Sequence, residues 1–459
     1  MPTCLESFFS TVAVLFVDFN AYTMVNGSIV TYTSATIRKG NDSSSQYEVA
    51  HTDSLFTRLR GHSLTVSSIN GNQSNTIVDV NVITIQADIA GKTAIPNARN
   101  ELIARLRGQT IVLPDLFPIY VGYTVRSHTN ISLLQDGLED WLKTFIPTEK
   151  LRAKQRKTDA PFLSAHFWPR VPTDRLAVLN SFCLWAFIWD DEIDCGSLTY
   201  DDEGRVDAYC DNAIAYIRSV MQPDLNVTPP VHGIFHNSGC FSEIGAAMQT
   251  GQTLADRDRF IQSIVRFINT VRRSHDKQIA GDIDSVEAYM KRRVITSSIE
   301  TFVHTLVWAY DLSMPAWIWE HEATKVILWE TEAAIALYND IASLKKELDG
   351  GEVDSIVPIL VYNEDITAQE AVNKTVHMLA SGFGEFRSAA DRLRAAVSND
   401  DIKVKSDVDT WIEGCVDLIL GNMAWSLKTE RYMAKAVVNL EGTGYTARMI
   451  LYTEEEKGD

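Results

Sequence analysis

Hydrophobic residues recur at helical spacing along most of the chain from about residue 101 onward. Apolar side chains at positions i, i+3, i+4 and i+7 predict amphipathic helices that bury one face. The segments with this pattern are 133–145, 174–189, 206–221, 256–278, 286–308, 324–348, 368–397 and 408–436. Suitable residues flank them, since Gly350 and Gly351 can end one helix and Asp174 can cap the helix after Pro172. The pattern predicts a large all-α domain.

Residues from about 20 to 100 are instead rich in Ser, Thr, Asn, Val and Ile. The stretch 76–89 alternates partly at the period of a strand, and helix signals are scarce. We therefore predict an N-terminal extension over 1–100, an α domain over 101–445 and an acidic C-terminal tail over 446–459. The sequence leaves open whether the extension is β-rich or disordered, and it assigns the extension no role.

Charge and cysteine usage exclude several functions. The 459 residues include 42 basic and 60 acidic side chains, a formal net charge of −18, which disfavours a nucleic-acid partner. The six cysteines form no CxxC pair and no zinc-type cluster with histidine, which fits a reducing compartment. The apolar stretch 8–17 is too short to span a bilayer and lacks a basic flank. We expect a cytoplasmic protein without stable membrane insertion.

An acidic cluster, WDDEID over 189–194, follows an aromatic run. At about 100° per residue, Asp190 and Asp194 lie one turn apart on one helical face, so their carboxylates can share a cation. Carboxylates beside an apolar wall repel one another unless a metal or water offsets their charge, and hard oxygen ligands suit Mg²⁺. The alternative interpretation is a solvated acidic helix end.

A second oxygen-rich stripe lies on the helix predicted over 324–348. Counted from Asn339, Ser343 falls at about 40°, Glu347 at about 80° and Lys346 at about −20° around the helix axis. Amide, hydroxyl and carboxylate oxygens spaced by single turns can form a facial site for one Mg²⁺. Lys346 is placed to meet an anion that the metal binds. The alternative is a surface helix with ordinary charged pairs.

Together the two motifs resemble those of class I terpene synthases, specifically the fungal sesquiterpene synthase-like group. The cluster from Asp190 to Asp194 matches the family's aspartate-rich DDxxD motif, and the stripe matches its NSE motif. The resemblance covers about residues 104–440 and implies the family's fold, an all-α helical barrel. It also implies three Mg²⁺ ions, with Mn²⁺ as an alternative, bound with a substrate diphosphate. The implied metal ligands are Asp190, Asp194, Asn339, Ser343 and Glu347.

An arginine upstream of the stripe extends the resemblance. Arg293, followed by Thr296 and Ser297, is similar to the family's diphosphate-sensing arginine with its linker and effector positions. Its spacing to Asn339 favours Arg293 over its neighbour Arg292. The resemblance therefore implies that Arg293 binds the diphosphate and assists its departure.

The end of the predicted domain carries another family pattern. Arg431 and Tyr432 resemble an Arg-Tyr pair that hydrogen-bonds diphosphate, and Trp425 resembles a tryptophan that faces the hydrocarbon. Lys346 is a further expected diphosphate contact, and Phe187 is a second candidate for the hydrocarbon lining. Aromatic residues at helical spacing belong more often to the core than to a cavity wall, so four further aromatic residues are weaker candidates for the lining. These are Phe167, Trp168, Trp185 and Trp308.

The resemblance implies a carbon–oxygen lyase that ionises and cyclises a prenyl diphosphate, with farnesyl diphosphate as the first substrate to test. Geranyl and geranylgeranyl diphosphate stay open, as do the product and the choice between monomer and homodimer. A chain-elongating prenyl diphosphate synthase is disfavoured, because that class has a second aspartate-rich motif where this chain has Asn339 to Ser343. A non-catalytic helical protein that binds prenyl ligands is the third hypothesis.

Overall fold

The computed structural model describes the backbone over 13–25, 28–39, 63–66, 77–80, 83–86, 98–194, 203–223, 240–280, 283–432, 437–440 and 444–451. Side chains are described over 98–193, 206–223, 240–274, 283–432 and 447–451. The chain divides into two compact units, Met1–Pro96 and Asn97–Asp459.

The N-terminal unit contains an antiparallel sheet. Its two long strands, β1 (Ala13–Val25) and β2 (Ser28–Lys39), pair with each other. Three short strands complete the sheet: β3 (Ser63–Val66), β4 (Ile77–Val80) and β5 (Ile83–Gln86). Both β4 and β5 pair with β2, and β3 pairs with β5.

The C-terminal unit is mainly helical, as the apolar spacing predicts. Its first half contains α1 (Ala98–Leu106), α2 (Ile131–Phe145), α3 (Glu149–Thr158), α4 (Ala160–Phe167), α5 (Thr173–Asp194), α6 (Glu203–Met221), α7 (Phe241–Gln249) and α8 (Leu254–Ala280). Its second half contains α9 (Val286–Thr296), α10 (Ile299–Ala309), α11 (Ala316–Glu320), α12 (Glu322–Asp349), α13 (Ile356–Glu364), α14 (Ala368–Ala396) and α15 (Ile402–Lys428). Within the described ranges, no helix has the length and apolar character needed to cross a bilayer.

Two of the predicted segments differ clearly from the observed helices. The segment 286–308 is split into α9 and α10, because Ser298 between them adopts a left-handed conformation with φ 62°. The segment 408–436 belongs to a helix that starts earlier and ends at Lys428, while residues 433–436 lie outside the described part. The shorter helices, such as α4 and α7, escaped prediction because so few residues show no clear period.

A three-stranded antiparallel sheet accompanies the helices. Its central strand β8 (Gly444–Ile450) pairs with β6 (Thr110–Leu113) on one side and β7 (Val437–Leu440) on the other. Ile111 and Met449 are buried partners across the β6–β8 pair. Residues 446–450, assigned above to an acidic tail, therefore continue a strand.

Two long helices, α12 and α15, bury much of their surface in the helical unit. Such burial requires apolar residues around most of the helix circumference. α15 approaches α4 closely at Gly421, where a Cβ atom would lie 2.9 Å from the carbonyl carbon of His166. Glycine at this position therefore sets the distance between the two helices.

We predict that Gly421→Ala destabilises the protein by about 1–3 kcal/mol, because the added methyl group would push α15 away from α4. The control is Gly384→Ala in α14, where an added Cβ has no neighbour within 4 Å. That change should stabilise by about 0.5–1 kcal/mol, since alanine favours the helix. Urea unfolding followed by circular dichroism measures both, and equal effects would contradict the close approach at Gly421.

Candidate active site

A cavity of about 470 Å³ lies between α4, α5, α8, α9, α10, α12 and α15. Many of its lining side chains are charged or polar, and these include Asp190, Arg293, Asn339, Lys346, Glu347, Arg431 and Tyr432. Others are apolar, and these include Leu163, Phe167, Phe187, Phe267, Phe302 and Trp425. Asp190 of α5 and the residues Asn339, Lys346 and Glu347 of the α12 stripe thus border the same cavity, whereas Ser343 is buried and is not among the lining residues.

Asp190 and Asp191 are neighbours on α5 with different surroundings. Burial opposes ionisation of Asp191, but Arg431 at 2.8 Å and Lys154 at 3.0 Å lower its pKa to about 2. Asp190 lines the cavity and has no hydrogen bond or ion pair within the described part of the chain. Burial and the charge of Asp191 raise the pKa of Asp190 to about 6. Asp191 therefore anchors an arginine, whereas Asp190 faces the cavity.

Asp194 is the last residue of α5, and its side chain lies outside the described part of the structure. The helix continues from Asp190 to Asp194, as the prediction of one shared face requires. The role of Asp194 as a metal ligand stays a prediction.

The stripe on α12 presents its oxygen atoms on successive turns. The Ser343 hydroxyl lies 2.6 Å from Oε1 of Glu347 and 2.7 Å from the backbone carbonyl oxygen of Asn339. Oδ1 of Asn339 accepts a hydrogen bond from Nη2 of Arg293 at 2.9 Å. Burial and the nearby charge of Asp340 raise the pKa of Glu347 to about 7. The three predicted ligands therefore form one connected group.

Asp340, which the metal-ligand prediction omits, organises this wall. Its side chain is buried and accepts hydrogen bonds from the Tyr289 hydroxyl at 2.5 Å and from Nε of Arg293 at 2.8 Å. The backbone N–H of Ile356 donates a third bond to it at 2.9 Å. Tyr289 and Arg293 are one helical turn apart on α9, and this spacing was the available sequence signal for their common partner.

The two adjacent arginines of α9 have different partners. Arg292 forms a two-pronged ion pair with Asp354, at 2.8 and 2.6 Å, and also contacts Asp284. Arg293 instead contacts Asn339 and Asp340 on α12. Both arginines line the cavity, and it is Arg293 that is joined to the predicted metal-ligand stripe.

The Arg-Tyr pair follows a segment anchored to the end of α3. The Trp425 indole donates to the backbone oxygen of Thr158 at 2.6 Å, and the Thr429 hydroxyl donates to that of Lys157 at 2.7 Å. The last carbonyl groups of a helix lack partners within it, so these two donors satisfy the end of α3. The anchoring fixes the chain just before Arg431.

Aromatic rings surround the cavity beside these charges. The rings of Phe187 and Trp425 lie 5.4 Å apart, and the Tyr432 ring meets Trp425 edge-on at 5.2 Å. The Arg431 guanidinium lies 5.3 Å from the centre of the Phe187 ring. The predicted lining residues Phe187 and Trp425 are thus neighbours at the cavity wall.

The weaker candidates divide. Phe167 lines the cavity, whereas Trp168 and Trp308 use their indole N–H groups to bond Thr305 and the Thr250 carbonyl. Trp185 is buried against Phe182 and Phe241. Sequence reasoning missed Phe267 and Phe302, which also line the cavity. Their helical spacing did not distinguish them from ordinary core residues.

The donor set fits a hard divalent cation. Carboxylate oxygens from Asp190 and Glu347, with amide and hydroxyl oxygens from Asn339 and Ser343, are the ligand types that Mg²⁺ accepts. Among the residues whose side chains are described, no group of three His, Cys, Asp or Glu gathers closely enough to hold an ion alone. A site here would therefore depend on the amide and hydroxyl of α12, with further oxygens from substrate or water.

Known proteins show similarities to this chain. The family described as terpene synthase family 2, C-terminal metal binding, matches residues 181–383. Terpene cyclase braA from Annulohypoxylon truncatum is 26% identical over 344 residues, covering 74% of this chain and 91% of that protein. Sesquiterpene cyclase hepA from Aspergillus oryzae is 26% identical over 350 residues, covering 74% and 94%.

Solved structures agree on the fold. The crystal structure of a-eudesmol synthase superposes with a TM-score of 0.60 at 18% identity, covering 67% of this chain and 98% of that one. Hedycaryol synthase in complex with HEPES gives a TM-score of 0.58 at 19% identity. The predicted resemblance to class I terpene synthases and the all-α terpenoid synthase fold are confirmed, and the chain is similar to fungal terpene and sesquiterpene cyclases.

We predict that Asp340→Ala lowers the free energy of unfolding by about 3–5 kcal/mol, because it leaves the buried Arg293 without its partner. The control is Glu287→Ala on α9, which removes an exposed pair with Lys291 and should leave stability unchanged within error. Chemical unfolding in urea compares the two variants. A similar small effect in both would show that Asp340 does not organise this wall.

Proposed function

We propose that the protein ionises and cyclises farnesyl diphosphate to a sesquiterpene in a Mg²⁺-dependent reaction, releasing diphosphate. The observation that carries the proposal is one cavity bordered by both oxygen-rich helices and lined elsewhere by aromatic rings. The volume of about 470 Å³ lies within the range of about 300–1,000 Å³ typical of small-molecule sites. Geranyl and geranylgeranyl diphosphate are the alternative substrates for the same assay.

Cleavage of an allylic carbon–oxygen bond leaves a diphosphate anion and a carbocation. Arg293, Lys346 and Arg431 line the cavity and would stabilise the negative charge that develops on the leaving group. Tyr432 lies beside two of them, with its ring 5.8 Å from Nζ of Lys346 and 5.6 Å from the guanidinium carbon of Arg431. Divalent metal ions, when bound, add Lewis-acid stabilisation of the same oxygens.

The carbocation needs surroundings that stabilise it without reacting. Aromatic faces stabilise cations by roughly 0.5–2 kcal/mol each and offer no lone pair comparable to that of water. Phe187 and Trp425 lie beside the charged groups, with Phe167 and Phe302 further examples in the wall. Exclusion of bulk water by such a wall protects the intermediate and strengthens the electrostatic interactions within the cavity.

The residues on α12 disfavour the hypothesis of a chain-elongating prenyl diphosphate synthase. Where that class has a second aspartate-rich motif, this chain presents the amide of Asn339 and the hydroxyl of Ser343, both joined to neighbouring side chains or backbone. A non-catalytic prenyl-binding protein would have the same cavity but would release no diphosphate. The product assay therefore separates all three hypotheses.

Incubation of the full chain with farnesyl diphosphate and Mg²⁺ should release diphosphate and give cyclic C15 products, detected by gas chromatography and mass spectrometry. Removal of divalent ions with EDTA should abolish both signals, and added Mg²⁺ should restore them. In a parallel assay that also contains isopentenyl diphosphate, longer prenyl diphosphates as products would favour the elongating synthase. Substrate binding without diphosphate release, under conditions where the fold is intact, would favour the binding protein.

We predict that Asp190→Ala and Asn339→Ala each lower the rate by about 100-fold or more, because each removes an oxygen ligand at the charge-stabilising end of the cavity. The control is Asp174→Asn, an exposed acid in the first turn of the same α5 helix, which should retain the full rate. Circular dichroism checks that all three variants stay folded. Full activity in Asp190→Ala or Asn339→Ala would contradict the predicted metal site.

A further inference from the structure

Asn422 is a polar residue in the cavity wall that the mechanism above does not use. It lies on α15, lines the cavity and is 4% exposed. Its side-chain nitrogen, Nδ2, is buried and has no hydrogen-bond partner in the part of the chain whose side chains are described. Buried amide groups are normally paired, so an unpaired one at a cavity wall indicates a missing partner.

Two hydroxyl groups that line the same cavity are already satisfied. Ser274 donates to the Thr270 carbonyl at 2.9 Å, and Ser297 donates to the Val294 carbonyl at 2.6 Å. Such bonds within a helix occupy the hydroxyl proton and leave little to offer a ligand. Asn422 differs because its two amide protons lack any such acceptor.

The position of Asn422 places it towards the hydrocarbon rather than the diphosphate. It precedes Trp425 by three residues, which is about 4.5 Å along the helix axis away from Arg431. Gly421 beside it packs directly against the backbone of α4, so the helix that carries the amide is closely held. The carboxamide is therefore a polar group on a closely held helix, about one turn before Trp425, and both residues line the cavity.

The missing partner must accept a hydrogen bond and fit a mainly apolar region. A carbocation would be repelled by the positive end of the amide, and the hydrocarbon chain offers no acceptor. A water molecule meets both requirements, and a carboxamide can present either its N–H₂ or its oxygen by a half-turn flip. The water oxygen, held by the amide, keeps a lone pair that can point towards the substrate.

We propose that Asn422 is a positioning residue that holds one water molecule in the cavity, and that this water ends the cation cascade. This inference rests on the proposed cyclisation. The water oxygen forms a C–O bond to the cationic carbon, and its extra proton passes to the departing diphosphate. The overall reaction converts the prenyl diphosphate and water into a cyclic alcohol and protonated diphosphate.

The test uses the full chain with farnesyl diphosphate and Mg²⁺ in ¹⁸O-labelled water, with diphosphate release and product composition measured separately. The wild type should give an alcohol that carries ¹⁸O. Asn422→Leu, similar in size but unable to hold water, should lower the ratio of alcohol to hydrocarbon by about tenfold, while diphosphate release changes much less. Asn422→Ser, which can still bond water, should retain part of the alcohol.

Ser426→Ala is the matched control. The Ser426 hydroxyl is also buried without a partner on α15 within the described side chains, but Ser426 is not among the residues that line the cavity. Its removal should leave the product ratio unchanged. Asn422→Leu should also unfold at the same urea concentration as the wild type or higher, because the amide that it removes has no partner among the described protein groups. A purely structural role for the amide predicts a loss of stability.

Two results would overturn the proposal: a wild type that gives only unlabelled hydrocarbons, or an Asn422→Leu variant that keeps its full share of alcohol. Absence of diphosphate release from the wild type would instead contradict the proposed function. In that case a crystal structure still tests whether Asn422 binds a water molecule. The water should lie within hydrogen-bond distance of the Asn422 amide in the wild type and be missing in Asn422→Leu.

Discussion

Two buried carboxylate–arginine pairs organise the charged side chains around the cavity. On α5, Asp191 holds Arg431, and on α12, Asp340 holds Arg293. Each carboxylate is next in sequence to a cavity-lining oxygen ligand, Asp190 or Asn339. Successive residues of a helix differ by about 100° in direction, so one can face the cavity while its neighbour holds an arginine at its edge.

This arrangement lowers the free-energy cost of placing like charges close together in a buried cavity. Asp190 and Glu347 face the cavity with raised pKa values, because burial and neighbouring carboxylates oppose their ionisation, and a cation that enters would stabilise their ionised forms. The arginines are already held in place by their own carboxylates, and little reorganisation is needed when an anion arrives. The carboxylate oxygens can bind a metal ion, and the arginines, already held in position, can bind an anion. Together these groups suit a metal-bound diphosphate.

Sequence pattern predicted the helical unit and the oxygen-rich stripe of α12, because helical spacing fixes which side chains share a face. The family resemblance added Arg293, Arg431 and Tyr432, which also line the cavity. It did not reveal that Asp340 and Asp191 hold the arginines, since ion pairs between distant helices depend on packing. Phe302 was missed because periodicity indicates that a residue is buried but does not show whether it faces the core or a cavity. Asn422 carried no motif, and only its unpaired amide in the folded chain draws attention to it.

The most direct test of shared binding by the two helices is a calorimetric double-mutant cycle with inorganic diphosphate and Mg²⁺. Asp190→Ala and Glu347→Ala should each weaken diphosphate binding by about tenfold or more, and the double variant should bind little worse than either single variant. Such non-additivity is expected when two residues serve one bound group. Fully additive losses, or binding that does not require Mg²⁺, would contradict joint binding by α5 and α12.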